Sequence, residues 1–220
     1  MQAQYRTDYP GEFVVVETRW SGGKKHQERE WVANPIENQH ISGRATCIGS
    51  TVDRARFDYT TLQRHRGGLL SSKKLQTYGT GSTAGHMRLD FAVESNSDNL
   101  KQLMANNYHE DNIVYTTSKN CINYPGNFYI VPYRPSFFDE VLIVYLAAFD
   151  KHTEIFLHGY TKEIMIDSPG WHRQLTSVFE TYAGTQFYFV GEKTNMHDEW
   201  FERANVNHFT VRQFISYCDV

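Results

Sequence analysis

Cysteine is scarce: Cys47, Cys121 and Cys218 are the only three in 220 residues. They have no metal-ligand spacing and form no even-numbered framework, so reduced thiols in a cytoplasm are expected. Long apolar runs are missing too, and no window approaches a membrane span, so no membrane partner is expected. The opening residues, MQAQYRTDYPGEF, lack the charged-then-apolar pattern of a signal peptide, which again points to the cytoplasm. The ten histidines include no HExxH and no paired Cys/His pattern, so no metal ligands and no tightly bound cofactor are expected. No GKS or GKT follows Tyr78-Gly79-Thr80-Gly81-Ser82, which excludes a P-loop and leaves a flexible loop. Neither sign of charge dominates: 22 Lys and Arg stand against 25 Asp and Glu, and a net charge of −3 excludes a wholly basic nucleic-acid binder.

What the chain does have is material for one core. Hydrophobic residues make up 40% and aromatics 15%, with 14 Tyr and 14 Phe, and the length suits one α/β domain over residues 1–220. Repeats, low-complexity tracts and linkers are absent. Charge is uneven locally. Residues 40–80 hold Arg44, Arg54, Arg56, Arg64, Arg66, Lys73 and Lys74 against Asp53 and Asp58, and such a patch suits a phosphate-bearing ligand.

The organising stretch is Tyr133 to Tyr160. Pro135 suits a first helical turn, Ser136 a cap, and Asp139 and Glu140 the positive end of the helix. Val141, Leu142, Tyr145, Leu146 and Phe149 recur at helical spacing with apolar residues between them, so the helix belongs inside the protein. A polar break at 150–153 leads into Glu154-Ile155-Phe156-Leu157, a strand that stops at Gly159. Further strands are expected at 13–17 (ended by the turn Ser21-Gly22-Gly23), 44–50, 67–74, 87–93, 113–115, 128–131 and 186–190. Lys24 to Glu30 reads as charged and exposed, and 51–63 as a short helix or turn. Helices are expected near 100–107, 171–183, 198–204 and 211–217. Strands alternating with helices give an α/β fold, a single Rossmann-like open, mostly parallel sheet flanked by helices.

Several strands exit through small polar residues: Gly49-Ser50, Ser71-Ser72-Lys73, Glu94-Ser95-Asn96 and Thr117-Ser118. In parallel sheets ligands gather beyond the carboxyl ends, so these exits, with Gly159-Tyr160, are candidate contacts for a nucleotide's ribose and phosphates. Lys73 would offset the phosphate charge, and Ser136 either binds phosphate at a helix start or only caps it. Turn preference alone also explains such exits. His172 follows Trp171 at a helix start, where its imidazole suits a general base, a structural role being the alternative. Arg54, Arg56, Arg64 and Arg66, with His65 between the last two, either form a solvated face or track a nucleic-acid backbone.

Taken in order, CIGS, FDYTTL, GLLSSKKL, MRLDFAVES, NNYHEDNIVYTTSKN, RPSFFDEVLIVYLAAFDKHTEIFLHGY and GWHRQLTSVFETYAGTQFYFVG resemble the sialyltransferase-type glycosyltransferases over roughly residues 44–192. The likeness is greatest to the small bacterial members. It implies a metal-independent transferase that moves a sugar from a nucleotide-sugar co-substrate to an acceptor hydroxyl. The donor would lie along Gly49, Ser50, Ser72, Lys73, Ser95, Ser118, Ser136, Gly159 and Tyr160, with His172 as the base. Ser50 stands where the family has Asn, and Phe137 where it has Gly after the serine, which implies a sugar nucleotide other than a sialic-acid donor. The compact chain also resembles phage-encoded enzymes that decorate DNA bases, with a hydroxymethylated base as acceptor; a saccharide or small-molecule acceptor fits the residues equally. The other reading is a non-catalytic nucleotide-binding or interaction protein on the same scaffold.

Overall fold

A computed structural model describes residues 2–5, 12–33, 43–50, 58–59, 62, 75–132, 136–162 and 170–219. The central helix, α5 (Asp139–Phe149), begins three residues later than Ser136, at Asp139, and its residues Val141 to Ala148 are all buried. Being apolar on every side, it has no solvent face to keep and lies against the sheet, packing on strands 44–48, 76–80, 91–93 and 154–158.

Those strands belong to an eight-stranded sheet of β4 (Arg44–Ile48), β5 (Gln76–Thr80), β6 (Phe91–Val93), β7 (Ile113–Thr116), β8 (Tyr129–Ile130), β9 (Glu154–His158), β10 (Gln186–Val190) and β11 (Val206–Phe209). Their order is β11-β10-β9-β4-β5-β6-β7-β8. Every pairing is parallel. This is the Rossmann-like α/β sheet that the alternation of elements predicts. From β4 the chain steps outward to β8, α5 then carries it back to β9 on the other flank of β4, and it steps outward again to β11. The strand order therefore reverses at β4.

Side chains alternate between two cores, as the period of a strand requires. Ala45, Cys47, Ile155 and Leu157 join α5 and α6 (Trp171–Thr181) on one face. Ile48, Phe156 and Val190 join residues of α1 (Gly81–Ala84), α2 (Ser97–Ala105), α4 (Ser118–Asn123) and α7 (Val211–Cys218) on the other. Each fully buried Phe or Leu is worth about 1.5–3 kcal/mol of transfer free energy. All three cysteines are free and buried. Burial pushes their thiols up, Cys121 and Cys218 to about 12.

Two sequence expectations change, one lies outside the described residues, and the exposed segment from Lys24 gains a strand. The loop at 78–82 is in fact the end of β5 and the start of α1. The expected strand at 67–74 lies outside the described residues, apart from which β5 at 76–80 fills the place beside β4. The helix at 198–204 is a short 3-10 turn, Asp198–Glu202, preceded by another at Lys193–Asn195, and β11 follows it unforeseen. Lys24 to Glu30 belongs to a strand: β1 (Gln2–Tyr5), β2 (Glu12–Ser21) and β3 (Lys24–Ala33) form a separate antiparallel sheet. Gly22 and Gly23, both at positive φ (59° and 75°), make the tight β2–β3 turn that such a hairpin needs. No helix among the described residues is long and apolar enough to cross a membrane.

Candidate functional site

The first turn of α5 ties several carboxyl ends of the sheet together. Ser50, just past β4, donates to Glu140 Oε1 at 2.8 Å. The Ser95 N–H, just past β6, donates to Asp139 Oδ2 at 2.9 Å. Tyr160, just past β9, donates its hydroxyl to the Glu140 carbonyl at 2.7 Å. Gln174 on α6 bridges the same region, accepting from the Phe138 N–H at 2.9 Å and donating to the Ser136 carbonyl at 3.3 Å. Beyond β7, Asn120 on α4 donates to the Ser95 carbonyl at 2.9 Å.

The chain therefore brings Gly49, Ser50, Ser95, Ser118, Ser136, Gly159, Tyr160 and His172 to one edge of the sheet. The strand reversal falls in the middle of it. There the Gly49 N–H donates to the His158 carbonyl at 2.9 Å, and Gly159 has φ 76°. A Cβ on Gly49 would lie 3.2 Å from the Gly159 oxygen and 3.3 Å from the His158 oxygen, so the two exits pack backbone to backbone. Ser72, Lys73, Arg54, Arg56, Arg64 and Arg66 lie outside the described residues.

Three side chains sit differently from their sequence reading. Ser136 caps nothing, since α5 starts at Asp139 with Phe138 as its N-cap residue. Ser118 is buried as the first residue of α4, whose cap is Thr117. Tyr160 is buried, its ring against Trp171 at 5.9 Å, and it positions α5 through its hydroxyl.

The rim also carries Thr80, Ser82 and Thr83, and the carboxyl of Glu94. Thr80 Oγ1 lies 2.8 Å from Ser82 Oγ and 3.4 Å from Thr83 Oγ1, and Thr83 donates to the Ile48 carbonyl at 3.3 Å, binding the β5 exit to the β4 exit. Glu94 is buried, holds the Asn96 N–H at 2.8 Å and the Asn99 amide at 3.1 Å, and leaves no room for a side chain on Gly81. Burial, and then the charge of Asp139, push its carboxyl up to about 7. Burial raises the Asp139 carboxyl as well.

At the other end of the rim, His172 starts α6. Its ring stacks on Trp200 at 5.3 Å and 22°, and His197 packs on the same indole at 5.4 Å. Trp200 is buried and stacks in turn on Phe189 of β10 at 4.7 Å and 8°. Among the described residues His172 Nε2 has no hydrogen-bond partner, and it lies 3.8 Å from Glu199 Oε2. Burial, then the neighbouring His197, hold the His172 imidazole below its usual range, so it is neutral near pH 7. One ligand atom from each of His172, His197 and Glu199 lies within 4.8 Å of the others.

A second polar group lies beneath the opposite end of the sheet. Tyr78 of β5 donates to Asp150 Oδ2 at 2.6 Å, and its oxygen is 2.9 Å from His152 Nε2. All three residues are buried. Burial pushes Asp150 up to about 8.

Fold and rim together define an open parallel α/β protein whose strand order reverses at β4, the position at which such sheets bind ligands. Among solved structures, the chain is similar to the sialyltransferase CstII from Campylobacter jejuni, solved in complex with a substrate analogue, cytidine-5′-monophosphate. The TM-score is 0.42 at 10% sequence identity, over 66% of this chain and 79% of that one. No protein-family model and no curated protein matches the chain.

Proposed function

We propose that this chain is a glycosyltransferase that moves a sugar from a nucleotide-sugar donor to an acceptor hydroxyl. The observation that carries the reading is the convergence of strand exits at the reversal: Gly49 and Gly159 pack backbone to backbone, and Ser50, Ser95 and Tyr160 are tied to the first turn of α5 on the same edge as His172. The donor would lie along that edge, between Ser50 on one side and Ser95 on the other. The acceptor oxygen attacks the anomeric carbon, and the bond from that carbon to the phosphate oxygen breaks. Its electron pair leaves with the nucleotide, and the acceptor's proton is taken up at the His172 corner. A hydroxymethylated DNA base is one acceptor of this chemistry, and a saccharide or small molecule is another.

A binding module without turnover is the second reading. One observation favours it: Asp139 and Glu140 already hold Ser95 and Ser50, so the first turn of α5 offers a phosphate negative charge rather than positive.

The test is a thermal-shift panel of UDP-, GDP-, CMP- and TDP-sugars, followed by a search for transfer or donor hydrolysis with whichever raises the melting temperature. A ligand that binds the native state stabilises it by mass action, about 2.7 kcal/mol at a hundredfold excess over Kd. A shift with turnover supports the transferase and a shift without it the binding module. No shift with any donor overturns both.

A further inference from the structure

We propose that His172, His197 and Glu199 form a binding site for one divalent transition-metal ion at the carboxyl-end rim, with coordination positions left open to solvent and acceptor. This departs from the sequence expectation of a metal-free enzyme. The absence of an HExxH or Cys/His pattern excluded only local motifs, and this set comes from two elements, the start of α6 and the turn after β10.

Three observations carry it. First, the ligand atoms converge within 4.8 Å, and His172 Nε2 is 3.8 Å from Glu199 Oε2. Tetrahedral metal–nitrogen and metal–oxygen bonds of about 2.0–2.2 Å put ligand atoms roughly 3.4 Å apart, a few tenths of an ångström closer than the His172–Glu199 pair and up to about 1.4 Å closer than the widest separation. The Glu199 side chain is 70% exposed and free to close the difference. Second, His172 Nε2 is buried with no hydrogen-bond partner among the described residues, a position that simple ring packing leaves unexplained and an ion would fill. Third, both imidazoles lean on the buried Trp200, which Phe189 holds from the sheet side, so their orientation is fixed before any ion arrives. Two imidazoles and one carboxylate suit Zn²⁺ or Co²⁺ better than Mg²⁺ or Ca²⁺, which take oxygen ligands.

The role of the ion deepens the transferase reading and rests on it: with Nε2 on the ion His172 would serve as a ligand in place of a base, and an acceptor hydroxyl bound to the ion would lose its proton to solvent more readily than a free one. The binding itself does not depend on that reading.

The experiment titrates chelator-stripped protein with Zn²⁺ by calorimetry and with Co²⁺ by visible absorption, with Mg²⁺ as a control. One equivalent of Zn²⁺ should bind, and Co²⁺ should give d–d bands of a low-coordinate nitrogen–oxygen site. Glu199→Gln, at an exposed position, and His197→Ala should each weaken binding by roughly tenfold or more, as loss of groups supporting a metal site does. No stoichiometric binding, or binding unchanged in both variants, overturns the inference. If His197→Ala unfolds, Glu199→Gln alone decides. The nucleotide-sugar panel run on the same protein separates the two readings: donors that bind where Zn²⁺ does not overturn the metal site only, and the reverse leaves the site standing without its transferase role.

Discussion

The two ends of one parallel sheet treat polar groups in opposite ways. At the amino end, Tyr78, Asp150 and His152 are buried and bond to one another, 2.6 and 2.9 Å apart. At the carboxyl end, hydroxyls, carboxyls and imidazoles line an edge where Ser50, Asp139, Glu140 and His172 all retain some exposure. A closed network spends its hydrogen-bonding capacity on the fold, because a buried polar group that loses its partner is expensive. An open one keeps capacity for a ligand. The difference follows the strand order: Asp150 and His152, between α5 and β9, meet Tyr78 of β5 at the amino end, while the polar side chains beyond β4, β6 and β9 gather at the opposite edge, where the order reverses.

The contrast breaks most sharply at His172. His172→Ala is expected to lower turnover by about 10²–10⁴-fold while leaving donor binding nearly intact. Steady-state kinetics beside a donor thermal shift measures both, and unchanged turnover would move the chemistry elsewhere. Tyr78→Phe should do the reverse. It strips Asp150 and His152 of a shared partner and should reduce stability by about 1–3 kcal/mol, read by denaturant unfolding, with turnover retained at a temperature where the variant is folded. A loss of activity without a loss of stability would mean that the closed end takes part in function.

The smallest expected effect sharpens the comparison through pH. Glu94, with a carboxyl pushed up to about 7, is neutral below that value and anionic above it. An anion there repels a phosphate, so donor affinity should fall as pH rises through about 7. Glu94→Gln should flatten that fall, a change of less than about tenfold, seen by repeating the donor titration at several pH values. A wild-type affinity that does not vary across this range would place the phosphates away from Glu94.

Much of this was legible because the signals were local. The apolar run of α5, the strands at β4, β9 and β10, and the helix at α6 all follow from periodicity within one segment. The small polar exits at Gly49-Ser50, Glu94-Ser95-Asn96 and Thr117-Ser118 were legible for the same reason. β5 was not. Gln76-Thr77-Tyr78-Gly79-Thr80 is buried throughout yet reads as polar, because its polar groups find partners far away in sequence: Thr77 donates to Asp90 at 2.9 Å and Tyr78 to Asp150 at 2.6 Å. β11, an edge strand with only its first residue buried, offers little apolar alternation to read. The Glu94–Asp139 pair and the His172–His197–Glu199 group are also juxtapositions between distant segments, which no spacing rule describes.

The burial of the three thiols has a practical consequence. A thiolate is the species that alkylating reagents and peroxides attack, and here every sulfur is enclosed and held protonated. Reaction at Cys47, Cys121 or Cys218 must then wait for the surrounding structure to open. Cys47 lies against α5 and Cys121 against the helices of the other face, so the rates at which the two are alkylated report separately on how often each layer comes away from the sheet.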